Sequence, residues 1–132
     1  MARSKELTLM AVHAHPDDES SSTGGVLARY SDETIRTVLV TCTNAEYGDG
    51  PGASNQARKG VTPDQVAKTR LAELAVACEH LRIGHLETLR YHDSRMHDWD
   101  FKDRPDVFCM SRSANRWGAS LRFSNGTVLM SS

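Results

Sequence analysis

The sequence has no apolar run long enough to cross a membrane, no paired-cysteine motif, no internal repeat and no excess of either charge. Each absence excludes a class. A spanning helix needs about 20 consecutive apolar residues, so no spanning helix is expected in this chain. The N-terminal stretch MARSKEL leads into a short strand-like run and lacks the layout of a secretion signal. Cys42, Cys78 and Cys109 lie far apart in sequence. That spacing predicts free thiols in a reducing compartment, not a disulfide frame or a cysteine zinc site, and so a cytoplasmic chain. A net charge of −1 gives no basic footprint, so neither nucleic acid nor an anionic membrane is an expected partner. At 132 residues the chain is one domain's worth, and 39% hydrophobic content is low but still allows a core.

What is present alternates in type. LTLMAV, Leu7–Val12, is a short apolar run that reads as a buried strand. Ser20–Thr23 offers N-cap residues for a helix running from Gly24 to about Glu33. Thr34–Thr43 is β-branched and apolar, a second strand. Asn44–Gly60, rich in Gly, Asn and Pro, reads as a loop. Thr62 and Gln65 match a capping box, with Pro63 at the first helical position. Val66, Leu71, Leu74, Ala75, Cys78 and Leu81 then recur at helical spacing, and Gly84 is placed to end the helix. HLETLRY, His85–Tyr91, is a third strand. Strand, helix, strand, helix, strand predicts an α/β fold with a parallel sheet. In such sheets ligands bind beyond the carboxyl ends of the strands. The loops at those ends, HAHPDDES, TNAEYGDG and HDSRMHD, are rich in reactive side chains.

The first of these loops places His15, Asp17, Asp18 and Glu19 in a row that a chain gains little from unless the acids serve a cation. His15 and Asp18 sit three apart with Pro16 stiffening the turn, a spacing that can bring an imidazole and a carboxylate to one divalent ion such as zinc. Asp17 lies between them and need not ligate. A carboxylate beside a metal-bound water is where a general base is wanted. Glu19 could cap the helix or orient a ligand, and His13, two residues before His15, could point the same way or be packed. The bland alternative is a solvated turn whose acids suit a helix dipole. A nucleotide binder is disfavoured, because a phosphate loop should be glycine-rich where this one is acidic.

LMAVHAHPDDESSSTGGVLARY, RTVLVTCTNAEYGDG, RLAEL and YHDSRM, in this order, resemble the PIG-L/LmbE-like deacetylase family, which includes enzymes of the mycothiol pathway. The resemblance covers about residues 7 to 110. It implies a Rossmann-like three-layer sandwich with a mainly parallel sheet, incomplete in this chain. It also implies zinc-dependent hydrolysis of an amide, typically an N-acetyl group on a small amino-sugar substrate. Matched onto this sequence, the metal ligands are His15 and Asp18 and the general base is Asp17. Arg70 falls where the family has a substrate-contacting arginine, and Asp93 falls in an acidic loop of the site. Ser22 is placed to touch substrate or to cap the helix.

Two departures stand beside the resemblance. The family's third zinc ligand comes from a later His-Pro-Asp-His-type motif that this sequence lacks, and Arg95 replaces a glycine. The expected function is therefore a metal-dependent N-deacetylase, with a non-catalytic, truncated family member as the alternative. The division expected is residues 1–110 as the N-terminal part of the deacetylase domain and 111–132 as an atypical tail. That tail has three arginines, no lysine and no acid, and reads either as a loop with a strand at TVLM or as a shifted reading frame. If the frame is shifted, the DNA downstream of the stop codon should encode a His-Pro-Asp-His-type motif in another frame. Unrelated DNA in every frame would remove the idea.

Overall fold

A computed structural model describes residues 7–48, 61–93, 105–108, 121–124 and 127–130. Three strands, β1 (Thr8–His13), β2 (Arg36–Thr43) and β3 (His85–Tyr91), form a parallel sheet in the order β1-β2-β3. The crossovers carry α1 (Gly24–Asp32) and α2 (Pro63–His80). The β-α-β-α-β alternation legible in the sequence is thus the architecture observed.

Because side chains alternate along a strand, β2 has two faces. Thr37 and Leu39 look toward the helices: the Ser31 hydroxyl of α1 is 3.0 Å from that of Thr37, and Leu39 packs with Leu74 and Cys78 of α2. Ala11, Leu71, Ile83 and Leu86 complete this core. Val38 and Val40 form a second cluster with Met10 and Leu89, to which no described helix contributes. Among the described residues both helices pack on this one face of the sheet, as part of the incomplete layered α/β arrangement expected. Cys42 and Cys78 are buried free thiols, and burial pushes the Cys78 thiol up to about 11, so it is a packing residue at neutral pH.

Both ends of α2 differ in how well the sequence foretold them. The capping box is present: the Gln65 amide donates to the Thr62 hydroxyl at 3.3 Å, and the Thr62 amide donates to the Gln65 side chain at 2.9 Å. The stop is not Gly84. Arg82 takes the left-handed conformation, with φ of 53°, just after the last turn. Gly84 serves close approach instead, since a Cβ there would come within 3.1 Å of the Thr37 carbonyl oxygen. Ala75, expected on the apolar stripe, is exposed. Ser20–Thr23 does not cap α1 either. Glu19–Thr23 forms a π-helical turn that runs straight into α1, and no side chain caps the junction. Single π turns are uncommon and concentrate at functional sites.

The strand expected at TVLM is Thr127–Met130, β5, paired antiparallel with β4 (Leu121–Ser124) as a separate two-stranded unit. Asn125-Gly126, a favoured two-residue hairpin sequence, lies between them. Arg95, His97 and Cys109 lie outside the described residues.

Leu39→Ala should remove about 2–5 kcal/mol by opening a cavity between sheet and α2. Thr62→Ala should cost about 1 kcal/mol through the lost cap. Urea unfolding of both variants checks the order; equal losses would mean that the Leu39 cluster is not the core.

Candidate functional site

The carboxyl ends of the three strands are stitched together. The Thr43 amide and hydroxyl both bond the Ala14 carbonyl at 2.9 Å, and the Asn44 amide bonds the Tyr91 carbonyl at 3.1 Å. Past β1 the chain turns sharply. Pro16 is buried and Asp17 takes a φ of 111°, which costs backbone strain in any residue with a Cβ. Glu19 holds that turn. Its carboxylate is 1% exposed and accepts from the Asp17 amide at 2.9 Å and the Ser20 hydroxyl at 2.8 Å. Glu19 thus neither caps a helix nor touches a ligating side chain; it locks the backbone of Asp17.

Within this turn the Asp18 carboxylate accepts from the His15 amide at 3.0 Å and stands 3.8 Å from His15 Nδ1. The other ring nitrogen, Nε2, faces Asp93 Oδ1 at 3.4 Å. Arg70, on α2, stands 3.8 Å from the Asp17 carboxylate and 3.3 Å from Glu73. Gly48 lies next to the guanidinium, where a Cβ would make ordinary contact at 3.6–3.7 Å, and its tighter approach is to the Ala45 carbonyl oxygen, 3.1 Å from that Cβ position. A small cavity of about 110 Å³ opens beside Asp17, Arg70 and Glu73. The structure therefore brings His15, Asp17, Asp18, Arg70 and Asp93 together.

It leaves out two others. Ser22 is exposed in the π-helical turn. His13 does not follow His15, because regular strand geometry ends between them. Its ring meets the Thr23 hydroxyl at 2.9 Å and packs on the helix side. Sequence reading gives Glu46 no role and names His92 only as a histidine outside any ligand motif that could complete a metal site. Glu46 Oε1 lies 2.7 Å from His92 Nδ1 and accepts from the Asp93 amide at 3.1 Å. The only sequence signal for them is that both lie in loops expected to converge.

A register shift explains part of this convergence. Thr41 pairs with Thr88 but Thr43 pairs with Tyr91, so β3 carries one extra residue, with Arg90 at a φ of 57°. Such a bulge changes the face to which later side chains point. It is what sets the direction of His92 and Asp93.

The donor chemistry suits a divalent ion in part. A zinc ligand histidine usually donates its second ring N–H to a carboxylate, the relation in which Asp93 stands to His15. Asp18 lies on the other nitrogen's side, its carboxylate 3.8 Å from Nδ1, so these two side chains are the ones that would hold an ion between them. Among the described residues no group of three His, Cys, Asp or Glu side chains completes a ligand set.

The hydrogen bond to Asp93 is the largest influence holding His15 above its ordinary value, against partial burial, and the nearby carboxylates add to it. Asp17 is also raised. Partial burial of its carboxyl outweighs the attraction of Arg70, although the side chain is 62% exposed. A raised pKa means the folded chain holds the proton more tightly than the unfolded one. The His15 contribution is thus complete below the ordinary imidazole value of 6.5 and is lost as pH rises through the higher folded value. Asp93→Asn should flatten that decline. Urea midpoints of the metal-free chain across this range test it, and an identical slope in the variant would contradict it.

Residues 10–110 match the family described as PIG-L, GlcNAc-PI de-N-acetylase. A 1D-myo-inositol 2-acetamido-2-deoxy-alpha-D-glucopyranoside deacetylase of Acidothermus cellulolyticus is 38% identical over 105 residues, 76% of this chain and 36% of the relative. The chain thus spans about a third of the length of the curated relatives it matches. Two solved structures share the fold. The N,N'-diacetylchitobiose deacetylase of Pyrococcus horikoshii has a TM-score of 0.58 at 20% identity, covering 67% of this chain and 30% of that one. GalB, the 4-carboxy-2-hydroxymuconate hydratase of Pseudomonas putida, has a TM-score of 0.55 at 21% identity, covering 76% and 38%. A fold shared by a deacetylase and a hydratase does not fix the reaction, but the sequence match and the residues gathered at the sheet edge agree, and the chain belongs to the PIG-L family.

Proposed function

We propose that this chain carries the nucleophile-activating half of a metal-dependent deacetylase that removes an acetyl group from the amide nitrogen of a small amino-sugar. One observation supports this above the others. Asp17 is strained and locked by Glu19, beside an imidazole–carboxylate pair and against an arginine. A solvated turn has no cause to hold a residue at such a cost.

The roles follow from position. His15 and Asp18 would hold the ion, and Asp93 keeps the His15 ring in one orientation. Zinc, or another divalent metal, supplies Lewis acidity and a water of lowered pKa when bound. Asp17 takes the proton of the attacking water. Its raised pKa suits the task, since a base with a pKa nearer neutrality both accepts and releases a proton more readily. Arg70 holds the carboxylate in place and presents its guanidinium to substrate oxygens beside the same small cavity. The relatives named for an N-acetylated glucosaminyl inositol suggest a sugar of that class. A cytoplasmic setting suits the two buried free thiols.

A second reading is favoured by one specific observation. The described residues give two metal donors, whereas a catalytic zinc normally takes three protein ligands. On that reading the chain is a non-catalytic family member that binds metal weakly.

Paired substitutions separate base from ligand. Asp17→Asn should keep the metal and lower turnover on the order of a hundredfold, the usual scale for a lost general base. Asp18→Asn should lose metal and turnover together. Zinc binding by calorimetry and release of acetate from an N-acetyl-glucosaminide read both. Metal lost in the Asp17 variant and kept in the Asp18 variant would reverse the assignment. Weak zinc binding by the unsubstituted chain, with no acetate released, would establish the second reading.

A further inference from the structure

Glu46 has no role in the scheme above, yet it is among the most deeply buried acids of the described chain, 6% exposed. One carboxylate oxygen collects two contacts from consecutive residues of the β3 loop, His92 Nδ1 at 2.7 Å and the Asp93 amide at 3.1 Å. The other oxygen is buried with no hydrogen-bond partner among the described residues. A buried carboxylate half satisfied is costly, and a native structure keeps one only where its position matters. The backbone reinforces the point. Ala45, the residue before it, is buried at a φ of 49°, a left-handed conformation stabilised by the Gly48 amide bonding its carbonyl at 2.9 Å. That turn directs Glu46 under the β3 loop.

We infer that Glu46 is a positioning residue that fixes the Asp93 backbone so that the Asp93 carboxylate meets His15 Nε2, leaving Nδ1 directed toward Asp18. The relay runs from the β2 loop through the β3 loop to the β1 loop in two contacts, Glu46 to the Asp93 amide and Asp93 to His15. Its consequence is a choice of tautomer. With Nε2–H donated to Asp93, the lone pair of Nδ1 is presented on the Asp18 side. That the lone pair serves a cation rests on the reading given under Proposed function; the tautomer itself does not.

The experiment is nitrogen-15 NMR of the His15 ring in the full metal-free chain, above the pH at which it is protonated. The unsubstituted chain should show the Nε2–H tautomer. Glu46→Ala should show a mixture, as should Asp93→Ala, and the double variant should be no more mixed than Asp93→Ala alone. Glu46→Gln should restore the single tautomer, because its amide oxygen can still accept from the Asp93 amide. Glu46→Asp keeps the charge but withdraws it by one methylene, and should give the mixture if Glu46→Ala does not fold. An unchanged tautomer in both the Ala and Asp variants overturns the inference. So does a chain unfolded in both by circular dichroism, since Glu46 would then hold the fold and not the ring. Zinc titration of the same samples keeps the two ideas apart: a single tautomer with no zinc bound leaves the relay standing and removes the metal reading.

Discussion

The Thr43 amide and hydroxyl both spend themselves on the Ala14 carbonyl, one residue before His15, and the Asn44 amide reaches across to the Tyr91 carbonyl. A parallel strand that ends abruptly leaves backbone groups that must find partners. Here each strand finds them on its neighbour, so the three exits are held at fixed separation before any site side chain is considered. His15, Glu46 and Asp93 all lie within three residues of these bonds. The contacts between them depend on that stitching more than on any attraction of their own, since a half-exposed imidazole and a carboxylate gain little in water.

Strain is distributed over the same edge. Among the described residues five non-glycine positions have positive φ, and they divide cleanly. Thr34 and Arg82 follow the two helices, where a left-handed residue is an ordinary stop. Asp17, Ala45 and Arg90 lie one to each strand exit, and each redirects something the site uses. Asp17 lifts its own carboxylate toward Arg70, Ala45 turns Glu46 inward, and Arg90 adds the bulge that re-aims His92 and Asp93. Strain of about 1–3 kcal/mol at each such residue persists only when the surroundings over-determine it. Glu19 does this for Asp17 and Gly48 for Ala45, each through one hydrogen bond.

These features divide what the sequence could tell from what it could not. Element type was legible because each element carries its own period: alternating β-branched residues for β2, a capped stripe for α2. The HPDDE turn was legible because consecutive acids are costly and so conspicuous, and a resemblance to a known family carried the assignment further. What escaped was anything decided by φ. Nothing in SSST marks a π-helical turn, and these residues read as good caps. Nothing in TLRYH marks a bulge at Arg90, because glycine, the usual sign, is absent. Gly84 was conspicuous and misled, since glycine is required both for left-handed turns and for close approach, and sequence alone does not say which. Glu46 was hidden because a lone acid in a polar loop is ordinarily solvated, and only tertiary contacts with the β3 loop bury it.

The same geometry shows why His15 and Asp18 remain a pair among the described residues. The groups packed near them come from the β2 and β3 exits and from α2: Asp93 on the ring, Glu46 behind Asp93, and Arg70 beside Asp17. Each already has a task that ligation would interrupt. Asp93 engages the ring nitrogen away from Asp18, Glu46 is turned to the Asp93 amide, and Arg70 is a cation. On the other side of β1 the described sheet has no strand, and Leu7 and Val12 are exposed. A parallel strand is normally flanked and covered, and an open edge of this kind invites pairing. In the order β1-β2-β3, β1, which delivers His15, and β3, which leads to Asp93, are both edge strands among the described residues. The well-determined side of the site orients the imidazole, with Asp93 on one ring nitrogen and Asp18 on the side of the other.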